Sequence, residues 1–382
     1  MTTTTPAPAP ESAPTPEPSG NRPIRWRRAL LLAALAPFAF ALQWLAGQDP
    51  EWTEQHYSRG IYPWIQQVLS SIATWSPIAI GESLLLLAVA HVLFHTARGL
   101  VACARRRRHW RNLLLRGLLQ AASAFGVLFL LFQLLWGINH ARLPFATQIN
   151  LKPVAVEPSR LARLAKLLAE RAAAIRPAGL DRTKPFLRAD WRNSVGDAYD
   201  IVGADLPVLA GPRPAIHGAW ISRLMTLGSI TGIYSPFTGE PNINIDVPEL
   251  VQPFVACHEV AHLRGYARED EADFIAYYVG SRSKDPHLAY SCELLAYRIA
   301  KAHLKYVDLA AAIHVQISTS VDVNADNRSI DVFWDGQPKT ATRILTTITE
   351  TTNDLYLKSS GHKEGVRSYG RMVDLLIAYY GV

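Results

Sequence analysis

Two histidines four residues apart, His258 and His262, have the spacing of a pair of metal ligands. On a helix this spacing places both imidazoles on one face, a turn apart, so that they can bind one ion. Glu259 follows the first histidine and can act on a water molecule at that ion without being a ligand. This His-Glu-x-x-His arrangement is that of zinc peptidases. A Zn²⁺ ion in such a site has a third protein ligand and one open position.

Four neighbouring acidic residues compete for the third ligand position: Glu269, Asp270, Glu271 and Asp273. Glu293 is a further candidate. If residues 268–281 form a helix, Glu269 and Asp273 share a face with two alanines, which lets that helix approach the histidines closely. Glu271 would then point away as a surface charge. We therefore predict Glu269 as the ligand, while Glu271 and Glu293 remain alternatives. Asp273 is predicted to accept the free N–H of a ligand histidine.

The two motifs together resemble those of the gluzincin metallopeptidases, which include the membrane CAAX-type proteases. In that group the Glu of the second motif, E-x-x-A-[DN], is the third zinc ligand, and the Asp or Asn four residues later supports the site. The resemblance implies zinc ligands at His258, His262 and Glu269, a general base at Glu259 and a supporting carboxylate at Asp273. The second motif follows His262 more closely than it does in those enzymes, so Gly265 must make a tight reversal.

Other segments are similar to a family of bacterial membrane proteins catalogued as a domain of unknown function. The similar segments are residues 136–139, 234–240, 258–276 and 365–371. They fall within a similarity that covers most of residues 77–380. This resemblance favours a membrane-anchored architecture and implies no particular substrate.

Peptide hydrolysis passes through an oxyanion, which needs a hydrogen-bond donor besides the metal. The candidates by chemistry alone are Tyr369, Arg367, Arg371 and His362. We predict Tyr369 as the catalytic donor because a glycine-flanked loop could bring it over the metal.

A segment just before the predicted metal helix has the pattern of a strand. Residues 241–246 alternate polar and β-branched side chains, which predicts a half-exposed strand. Such a strand could pair with an extended peptide substrate by strand addition. Asn244 would then line the cleft, although an ordinary amide beside a turn explains it equally well.

The composition indicates a membrane protein, because 49% of the residues are hydrophobic and only 19% are charged. The apolar residues are concentrated near the N-terminus, in three runs at about 29–46, 77–100 and 117–138. Each run is near or above the length that a helix needs to cross a bilayer. We therefore predict three transmembrane helices. Glu82, near the start of the second run, is either an interfacial or bundle-facing carboxylate or a functional group.

The positive charge is clustered beside these runs. The net charge is +7, and the basic clusters lie at residues 22–28 and 105–108. By the positive-inside rule the N-terminus is cytoplasmic and everything after residue 139 is periplasmic or extracellular, in a multi-pass protein of the inner (cytoplasmic) membrane. A topology signal explains these arginines better than nucleic-acid binding, so we expect a lipid bilayer and no nucleic acid as partner.

The sequence divides into three parts. Residues 1–22 are predicted to be a disordered tail because they contain almost no large apolar side chain. Residues 23–142 form the membrane anchor, and residues 143–382 a mainly α (α+β) domain with a small sheet, like a minigluzincin. The three cysteines include no close pair, so we predict small buried thiols at Cys257 and Cys292 rather than a disulfide.

Within the third part the periodicity predicts several helices and one long loop region. Helices are expected at residues 159–175, 253–264, 268–281, 287–307, 339–357 and 372–380. Residues 178–215 and 232–240 are expected to be loops or turns.

These features together predict a membrane-anchored zinc metalloendopeptidase that acts on peptide or protein substrates. The alternative is a non-catalytic membrane sensor or assembly factor that retains a structural zinc site. Glu259 favours the peptidase, because a purely structural site has no need of a general base.

Overall fold

The computed structural model describes residues 26–105, 110–152, 154, 156–180, 191–359 and 372–382. Several predictions lie outside these residues. They concern the tail at 1–22, the arginines at 106–108, and the loop that carries His362, Arg367, Tyr369 and Arg371. The described chain is mainly helical and contains one three-stranded sheet.

The N-terminal part consists of helices, of which three stretches are long and apolar enough to cross a membrane. The elements are α1 (Trp26–Ala33), α2 (Leu35–Gln48), α3 (Pro50–Trp52), a π-helix (Thr53–Ile61), α4 (Tyr62–Thr74), α5 (Ile80–Arg105) and α6 (Trp110–Leu135). The candidate spans are Trp26–Gln48, Ile80–Val101 and Leu114–Leu135, which confirms the prediction of three long apolar helices. The break between α1 and α2 follows from Pro37, whose ring collides with the carbonyl four residues before it.

Helices of different lengths lead from the third span into the rest of the chain. They are a 3₁₀ turn (Gly137–Ala141), α7 (Phe145–Gln148), α8 (Pro158–Ile175), α9 (Trp191–Asp205) and a 3₁₀ turn (Pro207–Leu209). The prediction of loops throughout 178–215 was wrong, because α9 lies inside that range. Its apolar side chains at Trp191, Val195, Tyr199 and Val202 are buried at helical spacing, but the surrounding Pro and Asp residues obscured this short pattern.

The small sheet contains two strands, β1 and β2, that the sequence did not reveal. The next elements are β1 (His217–Gly218), α10 (Ser222–Leu227), β2 (Gly232–Ser235) and β3 (Glu240–Ile243). The strand order is β1-β3-β2, with β1 parallel and β2 antiparallel to β3. Residues 232–240 therefore form most of a hairpin, in which the predicted turn covers only residues 236–239. The prediction that β3 is half-exposed was also wrong, since all four of its residues are buried between its two neighbours.

The remaining elements are helices that agree with the periodicity. They are α11 (Gln252–Leu263), α12 (Glu269–Gly280), α13 (Pro286–Val307), α14 (Leu309–Ser318), α15 (Val321–Asp335), α16 (Lys339–Ser359) and α17 (Met372–Tyr380). The predicted helices at 159–175, 253–264, 268–281, 287–307, 339–357 and 372–380 are confirmed to within two residues at each end.

The main core lies where α8, α9, α11, α12, α13 and α17 meet. Cys257 and Cys292 are buried there as free thiols, as predicted. A second, smaller group of buried residues lies between the spans and the end of α11, and we name it the junction cluster. Its members are Tyr57, Tyr62, Trp136, Ile138, Tyr234, Leu263 and Ala267.

Candidate metal centre

Three side chains converge on one point between α11 and α12. The Nε2 atoms of His258 and His262 are 3.0 Å apart. Glu269 Oε2 lies 3.1 Å from His258 Nε2 and 3.5 Å from His262 Nε2. Among the described residues, this is the one group of His, Cys, Asp and Glu side chains whose donor atoms are close enough to share an ion. We name it the metal cluster.

The turn after α11 brings the two helices together. Gly265 has a φ of 83°, a conformation that strains any side chain except glycine. The N–H of Tyr266 donates to Ala261 O, and that of Gly265 donates to His262 O. These two bonds form a Schellman motif, which ends the helix and reverses the chain. The short link between His262 and Glu269 is therefore compatible with convergence of their side chains.

The hydrogen bonds of the two histidines fix which nitrogen atoms face the centre. His262 Nδ1 lies 2.7 Å from the backbone oxygen of Tyr266, which can only accept, so this nitrogen carries a hydrogen. His258 Nδ1 lies 2.7 Å from Asp273 Oδ1 and donates in the same way. Both Nε2 lone pairs then point at each other and at a carboxylate. Three acceptors without a shared donor fit a cation at that point, and two imidazoles with one carboxylate are a donor set that suits Zn²⁺.

The charges around the cluster also favour a cation at this point. Burial alone would lower the pKa of His258, but the carboxylates of Asp273 and Glu269 outweigh it and raise that pKa well above its usual value. Burial opposes ionisation of Glu269, yet His262 and His258 hold its pKa far below the usual range. The converging atoms therefore attract positive charge.

Glu259 lies beside the cluster without joining it. Its side chain is buried against β2, and a Cβ at Gly232 would come within 2.6 Å of Val255 Cγ1 and would collide with the Glu259 carboxylate. Gly232 thus leaves the space that Glu259 occupies. Burial raises the pKa of Glu259 to about 7, against the opposing effect of the imidazoles of His258 and His262.

The two alternative third ligands have other partners. Glu271 accepts a hydrogen bond from the backbone N–H of Phe145 at 2.9 Å, and it is buried. The prediction that Glu271 is a surface charge was therefore wrong, because α7 covers that face of α12. Glu293 is bound to Arg171 at 2.6 Å and to Tyr277 at 3.0 Å, inside the main core.

The metal cluster and Glu259 open into a cavity of about 970 Å³. One wall is the loop and strand at residues 228–234, and another is part of α16, around Ile348. Phe132 and Trp136, at the end of the third span, also line it. The cavity thus joins the metal cluster to an edge strand and to the membrane end of the molecule.

The predicted substrate strand, β3, does not line this cavity. β3 is paired on both sides, so it has no free edge for a peptide, and β2 is the edge strand instead. Asn244 donates to Thr226 Oγ1 and Ile230 O, 3.0 and 2.9 Å away, and is fully buried. Of the two interpretations of Asn244, the structural one is therefore correct.

The C-terminal end of α11 is bound by side chains from the membrane anchor, which sequence reasoning did not find. Trp136 Nε1 donates to His262 O at 2.8 Å, and Tyr62 OH donates to Leu263 O at 2.8 Å. Arg142 Nη1 donates to Arg264 O at 3.0 Å. Three successive carbonyls at the helix end thus accept side-chain hydrogen bonds, and His262 O accepts one in addition to the N–H of Gly265. The signals for these contacts are single polar atoms far away in sequence, which no local pattern identifies.

Glu82, near the start of the second span, binds backbone groups outside the membrane anchor. Its carboxylate accepts the backbone N–H groups of Trp220 and Ile221 at 2.8 and 2.7 Å, just before α10. Glu240 in turn accepts the N–H groups of Ile80 and Gly81 at 2.7 and 2.6 Å, at the start of α5. The two carboxylates interlock the second span with the sheet, so the structure supports the interfacial interpretation of Glu82.

Comparison with known proteins identifies one family. No curated protein and no solved structure matches the chain. These comparisons add no support for the resemblance to gluzincins, which stays a prediction. A family model described as "Protein of unknown function (DUF3810)" matches residues 57–377, a range that contains the metal cluster, the junction cluster and the second and third spans. The chain therefore belongs to this family, as the sequence resemblance to a membrane-protein family of that kind indicated.

Proposed function

We propose that this protein is a membrane-anchored zinc metallopeptidase. The observation that carries the proposal is the convergence of two Nε2 lone pairs and the Glu269 carboxylate, with Glu259 beside them, at the wall of an open cavity. A structural zinc site is normally closed by four protein ligands, whereas a catalytic site keeps one position free. Three converging ligand atoms next to a cavity favour the catalytic kind.

Each residue would have a distinct task in hydrolysis. Zn²⁺ held by His258, His262 and Glu269 would lower the pKa of a water molecule and polarise the peptide carbonyl. Glu259 would take the proton as the water attacks and return it to the leaving nitrogen, which suits a group whose pKa is about 7. Asp273 would hold the His258 ring in the tautomer that points Nε2 at the metal.

The walls of the cavity favour a peptide that lies close to the membrane. β2 is an edge strand next to Glu259, so an extended peptide could add to it by main-chain hydrogen bonds. Phe132 and Trp136 place the other end of the cavity at the last turn of the third span. We therefore propose as substrates polypeptide segments near the surface of the membrane. We also propose a cytoplasmic N-terminus and a periplasmic or extracellular site, from the positive-inside rule.

Two substitutions test the proposal in the full-length protein, which is purified to measure zinc and expressed in cells to measure cleavage. Glu259→Gln should abolish hydrolysis of membrane and periplasmic peptides while zinc stays bound, because it removes the base and keeps the ligands. Glu269→Ala should lose both zinc and activity. Zinc content is measured by elemental analysis, and cleavage by comparing peptides from wild-type and Glu259→Gln cells. If Glu259→Gln cleaves as wild type does, the mechanism is wrong. If wild type binds zinc but cleaves nothing, the protein is the sensor or assembly factor instead.

A further inference from the structure

Helix α4 has its polar and apolar faces reversed. The residues that it buries against the rest of the chain are Tyr62, Gln66, Ser70 and Ala73. On the opposite side, three apolar residues of α4 and one at each end of it are exposed: Ile61 56%, Trp64 75%, Val68 57%, Ile72 56% and Trp75 90%. A helix on the surface of a water-soluble protein does the opposite, with its apolar face inward. The exposed apolar residues are three or four positions apart, so they form one stripe along the whole helix.

The small buried residues explain how α4 can pack with this polarity. The β2–β3 turn approaches α4 at Leu69 and Ser70, where Gly239 has a φ of 68° and a Cβ on it would lie 2.7 Å from Leu69 Cβ and 3.2 Å from Ser70 N. Tyr62 supplies the polar contact, through its bond to Leu263 O. The inward face of α4 is therefore covered by the protein, and the apolar stripe needs a different partner.

The connectivity places α4 at the membrane. It lies between the end of the first candidate span, at Gln48, and the start of the second, at Ile80. Helices that cross in succession put those two ends, and the end of the third span at Leu135, on the same face of the bilayer. The stripe is thus continuous in the chain with surfaces that lipid must cover. Trp64 and Trp75 are also of the residue type that is enriched at the membrane–water boundary.

We propose that α4 lies in the plane of the membrane surface, with its apolar stripe in the lipid of the face to which the metal cluster is attached. The exposed residues beside the stripe, Gln67 and Ser71, are polar and would face the water or headgroups. Thirteen residues are too few to cross a bilayer, which fits an in-plane orientation. This inference holds whether or not the protein is a peptidase.

Apolar burial rather than charge would hold α4 in the lipid. Its residues, Tyr62–Thr74, include no Asp, Glu, Lys or Arg, so it offers nothing to anionic headgroups. In-plane helices that recognise anionic lipid carry Lys and Arg on the polar face instead. Its affinity should therefore be the same for zwitterionic and anionic membranes.

As a consequence, two elements set the height of α11 above the membrane: the end of the third span and α4. The end of the third span holds His262 O through Trp136, and α4 holds the next carbonyl, Leu263 O, through Tyr62. If α4 rests in lipid, the C-terminal end of α11 lies just above the membrane surface. The histidines of the metal cluster are within one or two turns of that end.

The test uses single-cysteine variants of the full-length chain in two sets of nanodiscs, one of zwitterionic lipid and one that contains anionic lipid. Val68→Cys and Ile72→Cys report the stripe, and Gln67→Cys and Ser71→Cys, their neighbours on the same helix, are the matched controls. Each is labelled with a bimane fluorophore and exposed either to nitroxide-bearing lipid or to aqueous iodide. All four positions are exposed, so folding should be preserved, and Cys103→Ser provides the background because the two other thiols are buried.

We expect several-fold stronger quenching by nitroxide lipid, and several-fold weaker quenching by iodide, at 68 and 72 than at 67 and 71. Equal iodide quenching at all four positions would show that the stripe faces water and would overturn the proposal. Protection of 68 and 72 from both quenchers would show that a protein covers the stripe, whether a second copy or another chain. A contrast that appears only with anionic lipid would overturn the role of apolar burial.

Discussion

The second and third candidate spans meet the rest of the chain through different chemistry. α6 packs along α1 and α2, where Gln133 donates to Gln43 at 2.8 Å, and its end enters the aromatic junction cluster. None of residues 83–101 of α5 is buried, and the helix is attached at its start by Glu82 and Glu240. The third span is attached through aromatic side chains, which contact α11, the helix that carries His258 and His262. The second span is attached through two carboxylates, which join it to the sheet by hydrogen bonds to backbone N–H groups.

The two attachments are therefore expected to have different roles. The one at the third span positions the metal cluster, and the one at the second span holds the sheet to the span. Side chains at the end of the third span touch the backbone of His262, one of the proposed ligands, so a change there should move the metal cluster. The two carboxylates at the second span, Glu82 on the span and Glu240 on β3, accept backbone N–H groups that do not belong to the cluster. A change there should loosen the sheet and leave the metal affinity as it is. Substitutions at three places test this contrast, in order of decreasing expected effect.

The largest effect is expected at Arg142, which follows the third span. It forms two bonds to Glu54, at 2.8 and 3.0 Å, and both side chains are buried. Arg142→Ala should lower the free energy of unfolding by about 3–5 kcal/mol, because it leaves a buried carboxylate without its main partner. Heating in detergent, with labelling of the buried thiols at Cys257 and Cys292 as the signal of unfolding, measures the loss.

The matched control for Arg142 is Arg213, whose ion pairs with Asp197 and Asp200 are exposed to solvent. Arg213→Ala should cost no more than about 1 kcal/mol, since water screens such pairs. Equal losses in the two variants would show that the buried pair at the junction is not what holds the third span.

A smaller loss is expected on the side of the second span. Glu240→Gln should lower the free energy of unfolding by about 1–3 kcal/mol, because an amide offers one acceptor where the carboxylate offers two. Zinc affinity should not change. Glu82→Gln should have a similar effect, and the double variant should cost less than the sum, since both belong to one interlock. Glu170→Gln, in an exposed pair with Lys166, is the control. A change in zinc affinity in Glu240→Gln would break the proposed contrast.

The smallest change in stability, and the one most specific to the metal, is expected for Trp136→Phe. The variant keeps a ring but loses the bond to His262 O, which should cost about 1 kcal/mol of stability. Because the bond is to a ligand residue, zinc affinity should fall by up to about tenfold, as for other groups that orient metal ligands. Competition with a zinc chelator measures it. Trp64→Phe, on the exposed side of α4, should change neither quantity. Unchanged zinc affinity in Trp136→Phe would remove the link between the third span and the metal cluster.

The sequence predicts local features of this protein well. The spacing of His258 and His262, and the face shared by Glu269 and Asp273, depend only on helical periodicity, and the structure brings all four together. The three apolar stretches are equally local. Features set by distant partners were missed. Glu271 is buried because α7 covers it, and α9 is a helix because its short apolar side is buried against the core.

What the sequence determined by itself is therefore the set of chemical groups and the helices that carry them, because side-chain spacing and hydrophobic period are properties of neighbouring residues. What only the tertiary structure decided is where those groups stand relative to the spans and the sheet. The bonds from Trp136 and Tyr62 to the end of α11, the edge position of β2 and the reversed polarity of α4 all join residues far apart in the chain. Such pairings depend on which surfaces remain to be covered after the helices have packed.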